Sequence, residues 1–143
     1  MKQAPRHGVT MIELLVTVMI IGILGSIAYP SYRQHSVRAR RAAAGACLME
    51  YSQYMERVYT GNLRYDQNDG AATTLPALSC ASDASAYYGF AFASGQPQQR
   101  TYTLQATPTG TQASLDAACA TLSINQTGAR AVSGTGTVAD CWK

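Results

Sequence analysis

The chain has 143 residues, a length that predicts one domain, or one domain with an appendage. Charged residues make up only 13% of it, and 11 basic side chains nearly balance 8 acidic ones. This composition argues against a disordered charged tail and against a nucleic-acid protein built on dense lysine and arginine. The chain has only two histidines, and its four cysteines show no C-x-x-C spacing. These residues argue against a zinc site and against a histidine-based hydrolase.

The apolar residues are concentrated near the N-terminus, where residues 9–29 read VTMIELLVTVMIIGILGSIAY with Glu13 as the single charge. As a helix this run would be about 31 Å long, roughly the thickness of a bilayer core. A cleaved secretory signal peptide is the alternative, but it has no use for an internal charge, and no A-x-A-like cleavage site follows closely. An intramembrane carboxylate costs at least ~2.5–3.5 kcal/mol, so Glu13 predicts a retained segment in which its charge has a partner.

Cleavage between Gly8 and Val9 would create such a partner. The new α-amino group of Val9 would have a pKa of ~7.7–8.0 and would be mostly cationic, one helical turn from Glu13. Between subunits packed side by side, the amine of one and Glu13 of the next would neutralise each other. The charge would then set the register of an assembly.

Residues 8–32, GVTMIELLVTVMIIGILGSIAYPSY, resemble the N-terminus of type IV pilins, whose pattern is G-F-T-L-I-E-L followed by an apolar helix and A-x-P-S-Y. Residues 40–62, RRAAAGACLMEYSQYMERVYTGN, are similar to minor pilins of the type IVa class, which include the competence pilins of DNA uptake. The C-terminal part, with Asp116, Cys119 and Cys141-Trp142, looks like the same group.

This resemblance implies a role for each matching residue. Gly8 would end a leader peptide, residues 1–8, that a prepilin peptidase removes, and Val9 would become the N-methylated N-terminus. Glu13 would pair with a neighbour's N-terminus during assembly. Gly22 and Pro30 match the flanks of a stretch that loses helical hydrogen bonds in some assembled pili, in line with the weak helix propensity of glycine and the missing N–H of proline. One departure is Val9, where phenylalanine is usual.

A long helix is expected to continue beyond the apolar run. A helix from Val9 to about Thr60, before the stop signal Gly61-Asn62, would be about 78 Å long, too long for a small globular core. Its first half is therefore expected to lie in the membrane or among other helices. Its second half is expected to pack against the part of the chain that follows it. That second half has a stripe of apolar residues at steps of four and three, which we interpret as core: Ala44, Leu48, Tyr51, Met55 and Val58.

The remaining chain predicts a small antiparallel sheet after an irregular connection at residues 63–86. Four short strands are predicted from alternating patterns and turn signals, at residues 87–93, 101–107, 121–125 and 129–133. The fold class is therefore α+β, with a long helix packed on a small sheet. The predicted segments are the leader 1–8, a transmembrane and assembly helix 9–32, and a globular periplasmic head 33–143 that includes the second half of the helix.

The four cysteines allow three pairings, and their spacing alone does not choose among them. An exported head lies in an oxidising compartment, which favours disulfides over free thiols. The resemblance and the order of the cysteines suggest Cys47–Cys80 and Cys119–Cys141. In the chain-entropy account, each such loop contributes about 3–4 kcal/mol of stability.

No catalytic site, metal site or cofactor is expected. His35 lies at the membrane edge of the helix, where a solvated or packing role fits better than catalysis. The aspartates occur singly, without the spacing of calcium ligands, at Asp66, Asp69, Asp83, Asp116 and Asp140.

Binding of DNA is the alternative function. A cluster of arginines follows the apolar run and would contact either DNA phosphates or lipid headgroups and neighbouring subunits: Arg33, Arg38, Arg40 and Arg41. The head otherwise offers few cations, namely Arg57, Arg64, Arg100, Arg130 and Lys143. Assembly is therefore the favoured role.

The resemblance implies a structural subunit of the type IV pilus, a minor pilin built into or priming a fibre that mediates adhesion, twitching motility or DNA uptake. The alternatives are a DNA-receptor competence pilin and a pseudopilin of type II secretion, which usually lacks such a disulfide-rich head. Expected partners are other pilin subunits, the prepilin peptidase, the inner-membrane assembly machinery, the inner membrane itself and, under the first alternative, DNA. The precursor would lie in the bacterial inner membrane with a periplasmic head, and the mature protein in the surface fibre.

Overall fold

The structure, a computed structural model, describes residues 9–143, which form one long helix, three short helices and two antiparallel sheets. In chain order the elements are α1 (Met11–Asn62), β1 (Gln67–Asn68), β2 (Ala71–Ala72), α2 (Ser79–Ala84), β3 (Tyr88–Phe92), β4 (Thr103–Pro108), α3 (Gly110–Leu115), β5 (Leu122–Asn125), β6 (Arg130–Val132) and α4 (Val138–Cys141). The predicted α+β class is confirmed.

The described residues divide into two compact units, residues 9–36 and residues 37–143. Val37 is the first buried residue along α1, and we call residues 37–143 the head. The sequence-based boundary at residue 33 stays a prediction.

Between Met11 and Tyr29 the side chains of α1 are exposed and mostly apolar, and this stretch is long and apolar enough to cross a membrane. The helix is continuous through Gly22 and Pro30. The loss of helical hydrogen bonds at these positions is predicted for an assembled fibre and not for a single chain. It therefore stays a prediction.

The sheet of the head has the strand order β3-β4-β5-β6, with every neighbouring pair antiparallel. Leu104 lies opposite Ile124, and Ala106 lies opposite Leu122. These four residues are buried, because alternate positions of β4 and β5 face the core. All four strands overlap the ranges that the alternating pattern predicts.

The core lies between this face of the sheet and the second half of α1. The whole predicted stripe from Ala44 to Val58 is buried, so its spacing identified the correct face of the helix. Residues 63–86 are more regular than predicted, since they contain the β1–β2 hairpin and α2. Neither element has a strong local signal, and α2 is covalently tied to α1 through Cys80.

Candidate functional site

The first turn of α1 carries the residues predicted to act in assembly. The Glu13 backbone N–H donates to Thr10 Oγ1 at 3.3 Å, and the Thr10 backbone N–H donates to Glu13 Oε2 at 3.5 Å. This reciprocal pair is a capping box, a T-x-x-E signal that the sequence analysis did not use. Val9 is exposed just before it, whereas the predicted leader residue Gly8 lies outside the described residues. Glu13 thus already has a structural role within its own helix.

Two disulfides join the four cysteines of the head. Cys47 of α1 is bonded to Cys80 of α2, and Cys119 is bonded to Cys141 of α4. These are the pairs that the resemblance suggests. The first ties the connection between α1 and the sheet to the helix, and the second closes a C-terminal loop that contains β5 and β6.

A groove lies beside the Cys47–Cys80 disulfide, so the two disulfides differ in their accessibility to solvent. The groove lies between α1 and α2, has a volume of about 380 Å³, and is here called the α1–α2 groove. Its lining residues are Arg40, Ala43, Ala46, Cys47, Glu50, Cys80, Asp83, Ala84, Tyr87 and Tyr88. Cys80 is partly exposed, whereas Cys47, Cys119 and Cys141 are only 1%, 4% and 2% exposed.

A mild thiol reductant is expected to open Cys47–Cys80 before Cys119–Cys141 in the folded protein. A thiolate must reach one sulfur of the bond, and Cys80 is the only half-exposed cysteine of the four. Timed reduction, alkylation and peptide mass spectrometry would give the order. Simultaneous opening of both bonds, or opening of Cys119–Cys141 first, would contradict this expectation.

A buried polar network joins α1 to the C-terminal loop. Asp116, 3% exposed, forms an ion pair with Arg41 and accepts a hydrogen bond from the Tyr88 hydroxyl at 2.9 Å. Arg41 Nε also donates to the Cys141 carbonyl at 3.1 Å. Gln112 donates to the Val37 carbonyl at 3.1 Å and to the Tyr88 hydroxyl at 3.2 Å. We call Arg41, Tyr88, Gln112 and Asp116 the buried network.

This network changes the interpretation of the arginine cluster. Arg41 is occupied by Asp116 and is not a candidate for DNA contact. The Arg40 guanidinium lies 3.8 Å from the centre of the Tyr87 ring, in a cation–π contact. Arg33, in the first unit, and Arg38, in the head, remain exposed.

The C-terminal loop is closely packed. The Trp142 ring lies 3.4 Å from the point where a Cβ on Gly45 would stand, and its indole N–H donates to the Ala131 carbonyl at 3.2 Å. A Cβ on Gly134 would come within 2.1 Å of the Ala118 carbonyl oxygen. Only glycine therefore fits at position 134.

The other arginines of the head are brought together by the topology. In the sheet, the start of β4, the end of β5 and the start of β6 lie at the same end. The connecting segments 93–102 and 126–129 therefore lie at this end as well. The Tyr65 N–H donates to the Gln99 carbonyl at 3.0 Å, which adds the segment after α1 to this group. We call these three segments, residues 63–66, 93–102 and 126–129, the loop end. The arginines in or next to them are Arg64, Arg100 and Arg130.

The loop-end arginines differ in their partners. Arg64 makes two hydrogen bonds to Asp66, at 2.7 and 2.8 Å, and holds the pKa of that carboxyl below its usual range. The Arg130 guanidinium lies 5.0 Å from the Trp142 ring. Arg100 is exposed and forms no ion pair within residues 9–143. Arg57 lies on α1, outside these segments, with its guanidinium 6.0 Å from the centre of the Tyr54 ring. Arg100 and Arg130 are therefore the cations that the loop end offers to an anion.

Two tyrosines fix the loop end to α1. The hydroxyls of Tyr65 and Tyr102 both donate to Glu56 Oε1, at 3.1 and 3.2 Å. Ser52 Oγ lies 2.8 Å from the Tyr102 hydroxyl. Burial, with the neighbouring Glu56, raises the pKa of Tyr65 and that of Tyr102 to about 12. Both hydroxyls therefore stay protonated at neutral pH, and the loops have a defined position.

Within the part of the chain that the structure describes, no three His, Cys, Asp or Glu side chains come together to hold a metal ion. Instead, Asp66, Asp116 and Asp140 each form an ion pair, with Arg64, Arg41 and Lys143 respectively.

Comparisons with known proteins show what this chain is similar to. Residues 30–123 match a family described as "Type IV minor pilin ComP, DNA uptake sequence receptor", and residues 4–29 match the "Prokaryotic N-terminal methylation motif". The chain is 29% identical to the type IV major pilin protein PilE1 of Neisseria gonorrhoeae over 72 residues, which are 50% of this chain and 34% of that relative. The structure of the non-core minor pilin PilV of Neisseria meningitidis is similar with a TM-score of 0.48 and 24% identity, over 75% of this chain and 94% of that one.

The match to the minor pilin family covers well over half of the chain, and its members are structural subunits of pili. The methylation motif and the exposed apolar helix fit a membrane-anchored precursor. The expectation drawn from the sequence is therefore confirmed: the chain belongs to the type IV minor pilin family.

Proposed function

We propose that this minor pilin is incorporated into a pilus fibre and binds DNA there through the loop end of its head. The observation that carries the proposal is that Arg100 and Arg130, from loop 93–102 and from the start of β6, lie at the same end of the sheet. The family description, which names a DNA uptake sequence receptor, supports DNA as the ligand.

The chemistry of the loop end suits a nucleic acid. Exposed guanidinium groups bind phosphates, and two of them give a site of modest electrostatic strength. Arg130 rests over an aromatic ring, which restricts its motion, and Arg100 lies on a loop held by the backbone bond to Tyr65. Loops 93–102 and 126–129 connect strands at this end of the sheet, and their exposed residues are available for contact with DNA.

The double variant Arg100→Gln/Arg130→Gln is expected to bind duplex DNA more weakly and with a smaller salt dependence. Each lost phosphate contact reduces the slope of log K against log salt by about 1, so the double variant should lose about 2. Fluorescence anisotropy of a labelled duplex at several salt concentrations measures both quantities.

Arg38→Gln is the matched control, because Arg38 is an exposed arginine of the head far along α1 from the loop end. It should retain the wild-type slope. An equal loss in the control would contradict the placement of the site. Enrichment from a random duplex library would test whether the loops also read sequence.

For the first unit we propose the processing and assembly that the family resemblance implies. A prepilin peptidase would cut between Gly8 and Val9, the Val9 amine would be methylated, and Glu13 would pair with the N-terminus of a neighbouring subunit. Gly22 and Pro30 would flank a stretch that loses helical hydrogen bonds in the fibre. The precursor would reside in the inner membrane with its head in the periplasm, in contact with the pilus assembly machinery.

Gly8→Leu is expected to leave the precursor uncleaved in the membrane, because a bulky residue would block the peptidase at the last leader position. Intact-mass analysis of protein from its own cells should find the full chain for the variant, and a methylated chain starting at Val9 for the wild type. Normal maturation of the variant, or a wild-type N-terminus elsewhere, would contradict the proposal.

A further inference from the structure

The α1–α2 groove has no role in the DNA site proposed at the loop end. Its walls are largely apolar, formed by Ala43, Ala46 and the Cys47–Cys80 disulfide, with the Tyr87 ring under the Arg40 guanidinium. Its volume of about 380 Å³ lies in the ~300–1,000 Å³ range of sites that enclose ligands or large side chains.

The charges at the groove select for a cation. Glu50 and Asp83 line it and are exposed, and among the described residues neither carboxylate takes part in a hydrogen bond or an ion pair. The single cation, Arg40, is held over Tyr87. Arg40 keeps its positive charge over the ring, so two carboxylates against one guanidinium leave the groove with a net negative charge. This charge would repel DNA phosphates and attract an ammonium or guanidinium group.

A lysine or arginine side chain fits this combination of walls and charges. Its aliphatic stem would pack on the alanines and the disulfide, and its charged end would meet the two carboxylates at the rim. In a fibre the nearest proteins are other pilin subunits. The α1 helix of this chain shows the kind of surface required, because exposed Arg38 is followed by the small exposed residues Ala39 and Ala42.

We propose that the α1–α2 groove receives a lysine or arginine side chain of a neighbouring pilin subunit. This interface rests on incorporation of the chain into a fibre, as proposed above, and is separate from DNA binding. It gives Glu50 and Asp83 a function that no contact within residues 9–143 supplies.

Photo-crosslinking in intact pili tests the proposal. The photoreactive residue p-benzoylphenylalanine replaces Ala46, which is exposed and lines the groove, in the full chain. The expected adduct joins it to a peptide of a pilin subunit that contains lysine or arginine. Glu50→Gln/Asp83→Asn should reduce the adduct about tenfold, because charge-assisted hydrogen bonds are lost. The matched control is Asp69→Asn, which removes an exposed carboxylate of the head outside the groove and should leave the yield unchanged.

The other outcomes would overturn the proposal. They are an adduct only with DNA or a small molecule, a peptide without a basic residue, or an unchanged yield after both carboxylates are neutralised. A Glu50→Gln/Asp83→Asn variant with weakened DNA binding would also contradict it, since the groove would then belong to the DNA site. Absence of the wild-type chain from pili would overturn this interface and fibre incorporation together, whereas its presence without an adduct would overturn the interface alone.

Discussion

Replacing Asp116 with alanine is expected to lower the free energy of unfolding of the head by about 3–5 kcal/mol, because it leaves the largely buried Arg41 side chain, 12% exposed, without its counter-charge. The same change removes the acceptor of the Tyr88 hydroxyl. The single tryptophan, Trp142, follows Cys141, whose carbonyl Arg41 contacts. Its fluorescence in a guanidinium titration of the full chain in detergent would therefore report the loss.

Asp66→Ala is the control, because it breaks a more exposed arginine–aspartate pair of the same head. It should cost no more than about 1 kcal/mol, since solvent screens the charges of Arg64 and Asp66. Replacing both partners of the buried pair, as Arg41→Met/Asp116→Leu, should recover part of the loss. If Asp116→Ala costs no more than Asp66→Ala, the buried network is not what holds the C-terminal loop to α1.

The sequence predicted those parts of the fold that have a local periodic signal. Ala44 to Val58 form a stripe that can lie on only one face of a helix, and residues 103–108 alternate as a strand must. The α2 and α3 helices have weak local propensities and short lengths. Their positions depend on Cys80 and Gln112, whose partners lie far away in the chain.

The same reason explains why the arginines could not be sorted from the sequence. Arg40 and Arg41 are neighbours in the chain, yet one covers an aromatic ring and the other forms an ion pair with a buried carboxylate 75 residues away. The convergence of Arg100 and Arg130 likewise follows from the register of β4, β5 and β6. Their separation in the sequence gives no sign of it.

Glu13→Ala is expected to abolish incorporation into pili while leaving membrane insertion intact or improved. An uncharged residue is easier to place in a bilayer, by at least ~2.5 kcal/mol near its centre, so a defect in insertion is not expected. The proposed defect arises later, when the N-terminal amine of an adjacent subunit finds no carboxylate. Immunoblots of sheared pili and of membranes from the same cells would separate the two steps.

The capping box requires a second variant, because Glu13→Ala also removes the acceptor of the Thr10 N–H. Glu13→Gln keeps an oxygen in the same place and retains the cap, but it has no charge to neutralise an amine. If charge pairing between subunits is what assembly needs, the glutamine variant should be excluded from pili as fully as the alanine variant. If the glutamine variant enters pili, Glu13 is needed to cap the start of α1. The proposed charge pairing with a neighbouring subunit would then be wrong.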